Sequence, residues 1–318
     1  MTQKLIIAYN LGHLPDFQEK ANYFDTTYLP GNYSDLFATV PDYDYLIPSV
    51  KYKLDRELLL NATKLKAIST PSTGTDHIDF QACEELGIKV FSMKNDIGFL
   101  SNITATAELA FSHILNVSRK VPSAFRHVLN GEWNSSMFCG RELQGKTLGI
   151  VGFGRLGSMM SDYGLAFRMS VIAYDPYKRI DKQGVHQVDF DELLHHSDII
   201  TLHLHLNSET TGLIGRDAFR KMKKGVAIIN TSRGAIIDTE SLLEALNDGT
   251  VSGAGLDVID NELEGNTANH PLVKYAGKHD NLIITPHIGG VTLDSQGKAF
   301  SNTLEKLINL DRELHRNR

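Results

Sequence analysis

Apolar residues along this chain fall into short β-rich runs separated by stretches of helical spacing. KLIIAY, YLIP, LKAIST and IKVFSM make a first set, and TLGIVG, SVIAYD, DIITLHL, GVAIINTS, SGAGLDVI and NLIITPH make a second. Strands alternating with helices predict a doubly wound α/β architecture, here written twice. Between the sets lies SNITATAELAFSHILNVSRKV, residues 101–121, where Ile103, Ala107, Ala110, Phe111, Ile114 and Leu115 keep helical spacing. It predicts a long helix crossing from one domain to the other. A second long helix is expected in SQGKAFSNTLEKLINLDRELHR, after Gly289 and Gly290. Its place after the last strand predicts that the chain returns to its first domain, so that residues 1–99 and 290–318 form one domain and residues 100–289 are inserted between them. KMKKG, ending at Gly225, reads as a helix C-terminus with cations on its negative end and the glycine as its stop.

The segment from Thr147 to Asp175 gives the second domain its chemistry. Leu148, Ile150 and Val151 form a strand, and Gly152, Gly154 and Gly157 follow at Gly-x-Gly-x-x-Gly spacing where a helix begins. Gly152 permits the tight turn, Gly154 leaves the backbone open to a pyrophosphate, and Gly157 lets the helix pack on the strand. The pyrophosphate would meet amide groups that lack intrahelical partners. Asp175, at the end of SVIAYD, is placed to accept the ribose hydroxyl protons and would repel a 2′-phosphate. The spacing alone is weak in a chain with 26 glycines; the strand, helix and acid around it make this a Rossmann-type domain for NAD, with Lys178 and Arg179 close enough to soften the preference over NADP.

At 318 residues the chain suits two domains, and 42% hydrophobic with 22% charged residues is the balance of a soluble globular protein. A net charge of -6 offers no general attraction to nucleic acid or an anionic membrane surface. The opening MTQKLIIAYN has an apolar run too short for a signal peptide, so a cytoplasmic protein is expected. Cys83 and Cys139 form no Cys-x-x-Cys and are expected as free thiols, Cys83 packed in a helix and Cys139 in a polar loop.

Ligands of open α/β sheets bind at the carboxyl ends of the strands. Arg233 follows AIINTS, Glu262 follows GLDVIDN, and His287 follows NLIITP. Taken singly each has an ordinary explanation: a surface cation, a solvated turn acid, a hydrogen-bonded rim histidine. Next to a nicotinamide site they form a set that hydride transfer at a carbonyl carbon requires. A guanidinium can hold a substrate carboxylate in bidentate fashion and polarise the carbonyl, which suits Arg233. An imidazole can give and take the proton, which suits His287. A carboxylate against that ring, here Glu262, would orient it and favour its charged form.

With these residues in view, the chain resembles the D-isomer-specific 2-hydroxyacid dehydrogenase family over nearly all its length. The resemblance runs through ISTPSTGTDHID at 68–79, GKTLGIVGFGRLG at 145–157, LHLHLNSETTGLI at 202–214, NTSRGAIID at 230–238, GAGLDVIDNE at 253–262 and ITPHIGG at 284–290. It implies that Arg233, Glu262 and His287 are catalytic, in a 2-keto acid to (R)-2-hydroxy acid interconversion. It implies that Asp257 lies near the nicotinamide carboxamide and that Arg155 and Leu156 lie beside the pyrophosphate. Backbone amides of Thr73 and Gly74 are implied as a cradle for the substrate carboxylate. The fold implied is a Rossmann-type NAD-binding domain inserted in a flavodoxin-like substrate domain, and the helix at 101–121 resembles the family's dimer-forming segment, which implies a homodimer.

The chain departs from the family pattern in places. His205 stands where proline is common, two residues after His203; Ser72 and Thr73 stand where small or apolar residues are commoner; and Glu262 lacks the proline that usually follows. His195 and His196 are expected on a helix, and His203 and His205 on one face of a strand, an arrangement that predicts no metal site. Three alternatives stand beside the main reading: a donor other than a hydroxy acid, such as phosphite; a nucleotide-sensing interaction protein on the same fold; and a phosphorylated substrate, which would need cations such as Lys51, Lys53 or Arg56.

Overall fold

Strands that are apolar on both faces are stable only when helices cover both faces of their sheet. The computed structural model, which describes residues 2–262 and 265–316, builds two such parallel sheets. Contacts divide the chain into two units: the residues up to Ile103 with those from Val291 onward, and Thr104–Gly290.

The first unit holds β1 (Lys4–Ile7), β2 (Asp25–Tyr28), β3 (Tyr45–Ile47), β4 (Ala67–Ser69) and β5 (Lys89–Phe91), in the order β2-β1-β3-β4-β5. All pairs are parallel, and the order is that of flavodoxin-like sheets. Period-two alternation divides the core. Leu5, Ile7, Tyr45 and Ile47 face Phe17, Phe300, Leu304 and Leu307, whereas Ile6, Leu46 and Ile68 face Leu36, Leu58, Ile78 and Cys83. The closing helix, Leu293–Arg316, covers the first of these faces. Burial pushes the Cys83 thiol up to about 11, while Cys139 is exposed.

The second unit holds β6 (Thr147–Val151), β7 (Ser170–Tyr174), β8 (Val185–Gln187), β9 (Ile199–Leu202), β10 (Val226–Asn230), β11 (Val251–Leu256) and β12 (Leu282–Ile284). Their order, β12-β11-β10-β9-β6-β7-β8, reverses direction at β6, as in a Rossmann sheet extended by one strand. Leu148, Ile150 and Val171 pack under the helices Ala105–Arg119 and Arg155–Ala166, and Val151, Ile200 and Ile228 pack against Leu193, Phe219 and Leu242 on the other face.

Several local expectations change. β2, with the sequence DTTY, and β8, with VHQ, lie at sheet edges and bury too little to need an apolar run. The long helix begins at Ala105 rather than 101, because Ile97–Leu100 forms a turn of its own, and it ends where Lys120 adopts a left-handed conformation. The helix Arg216–Lys221 stops before Gly225, which at φ 82° instead turns the chain into β10. β9 ends at Leu202, so His203 and His205 lie beyond the strand and share no strand face.

Candidate active site

Because β6 and β9 to β12 run parallel, their carboxyl ends share one edge of the sheet. The glycine turn follows β6, the loop with Arg233 follows β10, Asp257 directly follows β11, and His287 lies three residues past β12.

The three glycines of the turn answer to different demands. A Cβ on Gly152, at φ 87°, would come within 2.5 Å of the His203 carbonyl oxygen, and one on Gly157 would lie 2.2 Å from the Gly152 oxygen. The protein's own packing therefore requires both. A Cβ on Gly154 would meet nothing within 4 Å. Gly154 precedes the helix Arg155–Ala166 as its cap, and no side chain caps that end, so the start of this helix is of the kind that suits an anion. A glycine kept where the protein leaves room for a side chain fits the approach of a pyrophosphate. Asp175 flanks this turn: its Oδ2 accepts from the Phe153 amide at 3.0 Å and its Oδ1 from the Tyr177 amide at 3.0 Å, which fixes the carboxylate and leaves further lone pairs for a ribose. These features together fit a dinucleotide.

The Arg233 loop is stitched to the sheet. Ser232 donates its hydroxyl to Leu202 O at 2.6 Å and its amide to Asn230 Oδ1 at 2.9 Å, while Asn230 Nδ2 donates to Arg233 O at 2.9 Å. Gly234 presses on the next loop so closely that a Cβ would sit 1.9 Å from the Ile259 carbonyl carbon. Arg233 itself is half-buried and donates from Nη1 to Ser232 O at 2.8 Å.

Asp257 is 1% exposed, and its carboxylate gathers the loop after β12. Oδ1 accepts from the Thr285 hydroxyl at 2.5 Å and the Ile288 amide at 2.9 Å, and Oδ2 accepts from the Gly289 amide at 2.7 Å. Around this anchor His287 takes φ 54°, an unfavourable region for a residue with a Cβ, and donates its amide to the Asp257 carbonyl at 2.9 Å. Its ring then meets Glu262: Nδ1 and Oε1 are 2.6 Å apart, which leaves Nε2 free of that contact. The loop bearing Glu262 is braced by Asp260, whose Oδ1 accepts from the Thr239 hydroxyl at 2.6 Å and pairs with His270 Nε2 at 2.8 Å.

Sequence reasoning named Asp257 for the cofactor alone and missed its hold on the histidine loop, together with Thr285, Asp260 and His270. A threonine two residues before the histidine is the only local signal. Thr73 and Gly74 lie in the first unit, on the loop after β4, where the Gly74 amide donates to Ser72 Oγ at 3.1 Å. His195 and His196 close the helix Phe190–His196, and among the described residues no cluster of three or more His, Cys, Asp or Glu side chains could hold a metal.

Residues 111–289 match the family model described as D-isomer specific 2-hydroxyacid dehydrogenase, NAD binding domain. The chain is 40% identical over 271 residues to glyoxylate reductase of Thermococcus litoralis, which covers 82% of this chain and 78% of that one. It is 38% identical over 283 residues to D-3-phosphoglycerate dehydrogenase of Archaeoglobus fulgidus, covering 88% of this chain but 52% of the relative, so it spans about half that protein's length. Among solved structures it is similar to D-lactate dehydrogenase of Aquifex aeolicus complexed with NAD and lactic acid, with a TM-score of 0.85, 32% identity, and 98% and 96% of the two chains covered.

Gly154→Val is expected to leave the melting temperature near wild type but to weaken NADH binding at least ~10-fold, as read by fluorescence titration, because its side chain occupies space that only a ligand would need. Unchanged affinity would remove the pyrophosphate from this turn. His203 supplies a pH prediction. Its Nε2 lies 2.9 Å from Thr201 Oγ1, its Nδ1 is buried without a partner, and burial lowers its pKa to about 3. The unfolded chain, with a pKa near 6.5, takes up a proton that the folded one refuses. This histidine's contribution is thus fully present above pH 6.5 and is lost as pH falls from there toward about 3, at up to ~1.4 kcal/mol per unit. Urea unfolding at pH 7 and pH 5 should show a shallower loss for His203→Phe than for wild type; equal losses would assign the effect to other groups.

Proposed function

The chain belongs to the D-isomer-specific 2-hydroxyacid dehydrogenase family, and from that premise we propose that it interconverts a 2-keto acid and its (R)-2-hydroxy acid with NAD as cofactor. The observation that carries this reading is the 2.6 Å contact between His287 and Glu262, on the same sheet edge as the glycine turn and Arg233.

Arg233 binds the substrate carboxylate and polarises the keto oxygen through its fork of N–H donors. When bound, NADH supplies the hydride that forms the new bond at C2. His287, oriented through Nδ1 by Glu262, delivers a proton from Nε2 to the oxygen as negative charge develops there, and recovers it in the reverse direction. The balance is keto acid, NADH and one proton to hydroxy acid and NAD⁺. In the first unit, the amides of Thr73 and Gly74 are the candidates for a substrate carboxylate, the Gly74 amide now donating to Ser72 Oγ at 3.1 Å. The acceptor capacity that remains on Asp257 Oδ2 beyond the Gly289 amide would suit a nicotinamide carboxamide.

Asp175 supports a preference for NAD, since its fixed carboxylate would oppose a 2′-phosphate. Of the three cations that a phosphorylated substrate would call on, Arg56 is paired with Glu85 at 2.5 Å. A cytoplasmic homodimer is the assembly we propose. Its support is an exposed apolar surface on the helix Val121–Leu129 and the segment after it, carried by Phe125, Leu129, Trp133 and Met137. The preceding helix, Ala105–Arg119, spends its apolar face on its own sheet. No described helix is long and apolar enough to cross a membrane.

Purified protein mixed with NADH and a panel of keto acids, from glyoxylate, hydroxypyruvate and pyruvate to branched, aromatic and phosphorylated ones, is expected to consume NADH with one or a few of them. Arg233→Ala should lower kcat/KM on the preferred acid by at least ~100-fold. No turnover across the panel with intact NADH binding would overturn the reading in favour of a sensing role, and near wild-type activity of the variant would remove Arg233 from the scheme.

A further inference from the structure

His113 lies on the inner face of the helix Ala105–Arg119, among Ala110, Phe111 and Ile114, and is 1% exposed. A polar ring in such a place needs a reason. Its Cβ packs on β11 at Gly255, where an added Cβ would lie 2.7 Å away, so the ring fits because residue 255 has no side chain. Its Nε2 is 3.1 Å from Thr285 Oγ1. Its Nδ1 is buried with no partner.

The hydrogen-bond direction follows from counting protons. The Asp257 carboxylate only accepts, so the Thr285 hydroxyl spends its one proton on Asp257 Oδ1, at 2.5 Å. Thr285 can then only accept from His113, and Nε2 must carry the hydrogen. Burial lowers the pKa of His113, and the charge of Asp257 opposes that shift only in part, so the ring is held neutral in a single tautomer. The resulting chain runs from His113 to Thr285 to Asp257, whose carboxylate takes the Thr285 hydroxyl just before His287 and the amides of Ile288 and Gly289 just after it.

We propose that His113 is a positioning residue for the reaction: by donating to Thr285 it aims the threonine hydroxyl at Asp257 and so fixes the turn on which His287 stands. The proposal rests on the reading of His287 as the proton carrier. A donor into the Thr285 oxygen strengthens the onward bond of that hydroxyl, because bonds in a chain polarise one another where water is absent. The bare Nδ1 is the cost of this arrangement. An apolar residue would remove that cost and, with it, the donor.

Two variants separate positioning from packing. His113→Leu keeps the volume apolar and leaves no buried nitrogen, so it should melt at or above the wild-type temperature. Yet its kcat for the preferred keto acid should fall about 5- to 10-fold, with KM and NADH affinity within about 2-fold. His113→Gln, which puts an amide nitrogen near the place of Nε2, should recover most of that loss. A kcat for His113→Leu within 2-fold of wild type overturns the proposal, as does a loss that follows a fall in melting temperature or that glutamine does not recover. Histidine ¹⁵N NMR of the cofactor-free wild-type protein at pH 7 gives a second reading that needs no turnover. Hydrogen on Nε2 and none on Nδ1 is expected for His113, and the opposite tautomer overturns the chain whether or not the leucine variant folds. Wild-type inactivity on every keto acid would sink the proposed reaction but leave this NMR result to decide the hydrogen-bond chain.

Discussion

The site hangs on one buried charge. A carboxylate removed from water must be given donors or it destabilises the fold, and Asp257 obtains them from the loop that follows the neighbouring strand. The hydroxyl of Thr285 and the amides of Ile288 and Gly289 converge on it, and the chain between them has little choice of path. His287 is thereby forced into a left-handed conformation that it would not adopt alone. Glu262 lies five residues beyond Asp257, on a loop that Asp260 braces through Thr239 and His270. The 2.6 Å contact between His287 and Glu262 ties these two loops together.

The glycine turn shows a different constraint, that of space. Gly152, Gly157 and Gly234 are each required by an atom of the protein that a methyl group would strike. Gly154 has no such neighbour, which makes it the one position in the turn whose lack of a side chain serves something other than the fold. The uncapped helix end and the fixed carboxylate of Asp175 add the electrostatics. A steric absence, a positive helix end and an oriented acid are independent features that agree on one kind of ligand.

Much of the architecture was legible because central parallel strands must be apolar on both faces, as KLII, IITL and VAIIN are. The edge strands β2 and β8 were not, since DTTY and VHQ bury little and leave no pattern. Periodicity also carried the long helix four residues too far, because Ile103 keeps the spacing yet packs with Met93, Leu100 and Ala299 outside it. Arg233, Glu262 and His287 could be named from their places after strands. What escaped was tertiary: that Thr285 binds Asp257, that Asp260 and His270 brace the Glu262 loop, and that a histidine in FSHIL reaches a threonine 172 positions away. No local spacing encodes contacts that arise only when two strand ends and a helix face come together.

The central claim is that His287, held by Glu262 and by the turn on Asp257, moves the proton in hydride transfer. Single-turnover mixing of His287→Gln with NADH and the preferred keto acid tests it most directly, since binding and chemistry are read separately. The account predicts NADH affinity close to wild type and a hydride-transfer rate lowered by about 10²- to 10⁴-fold. A transfer rate within a few-fold of wild type would contradict it and place the proton donor elsewhere.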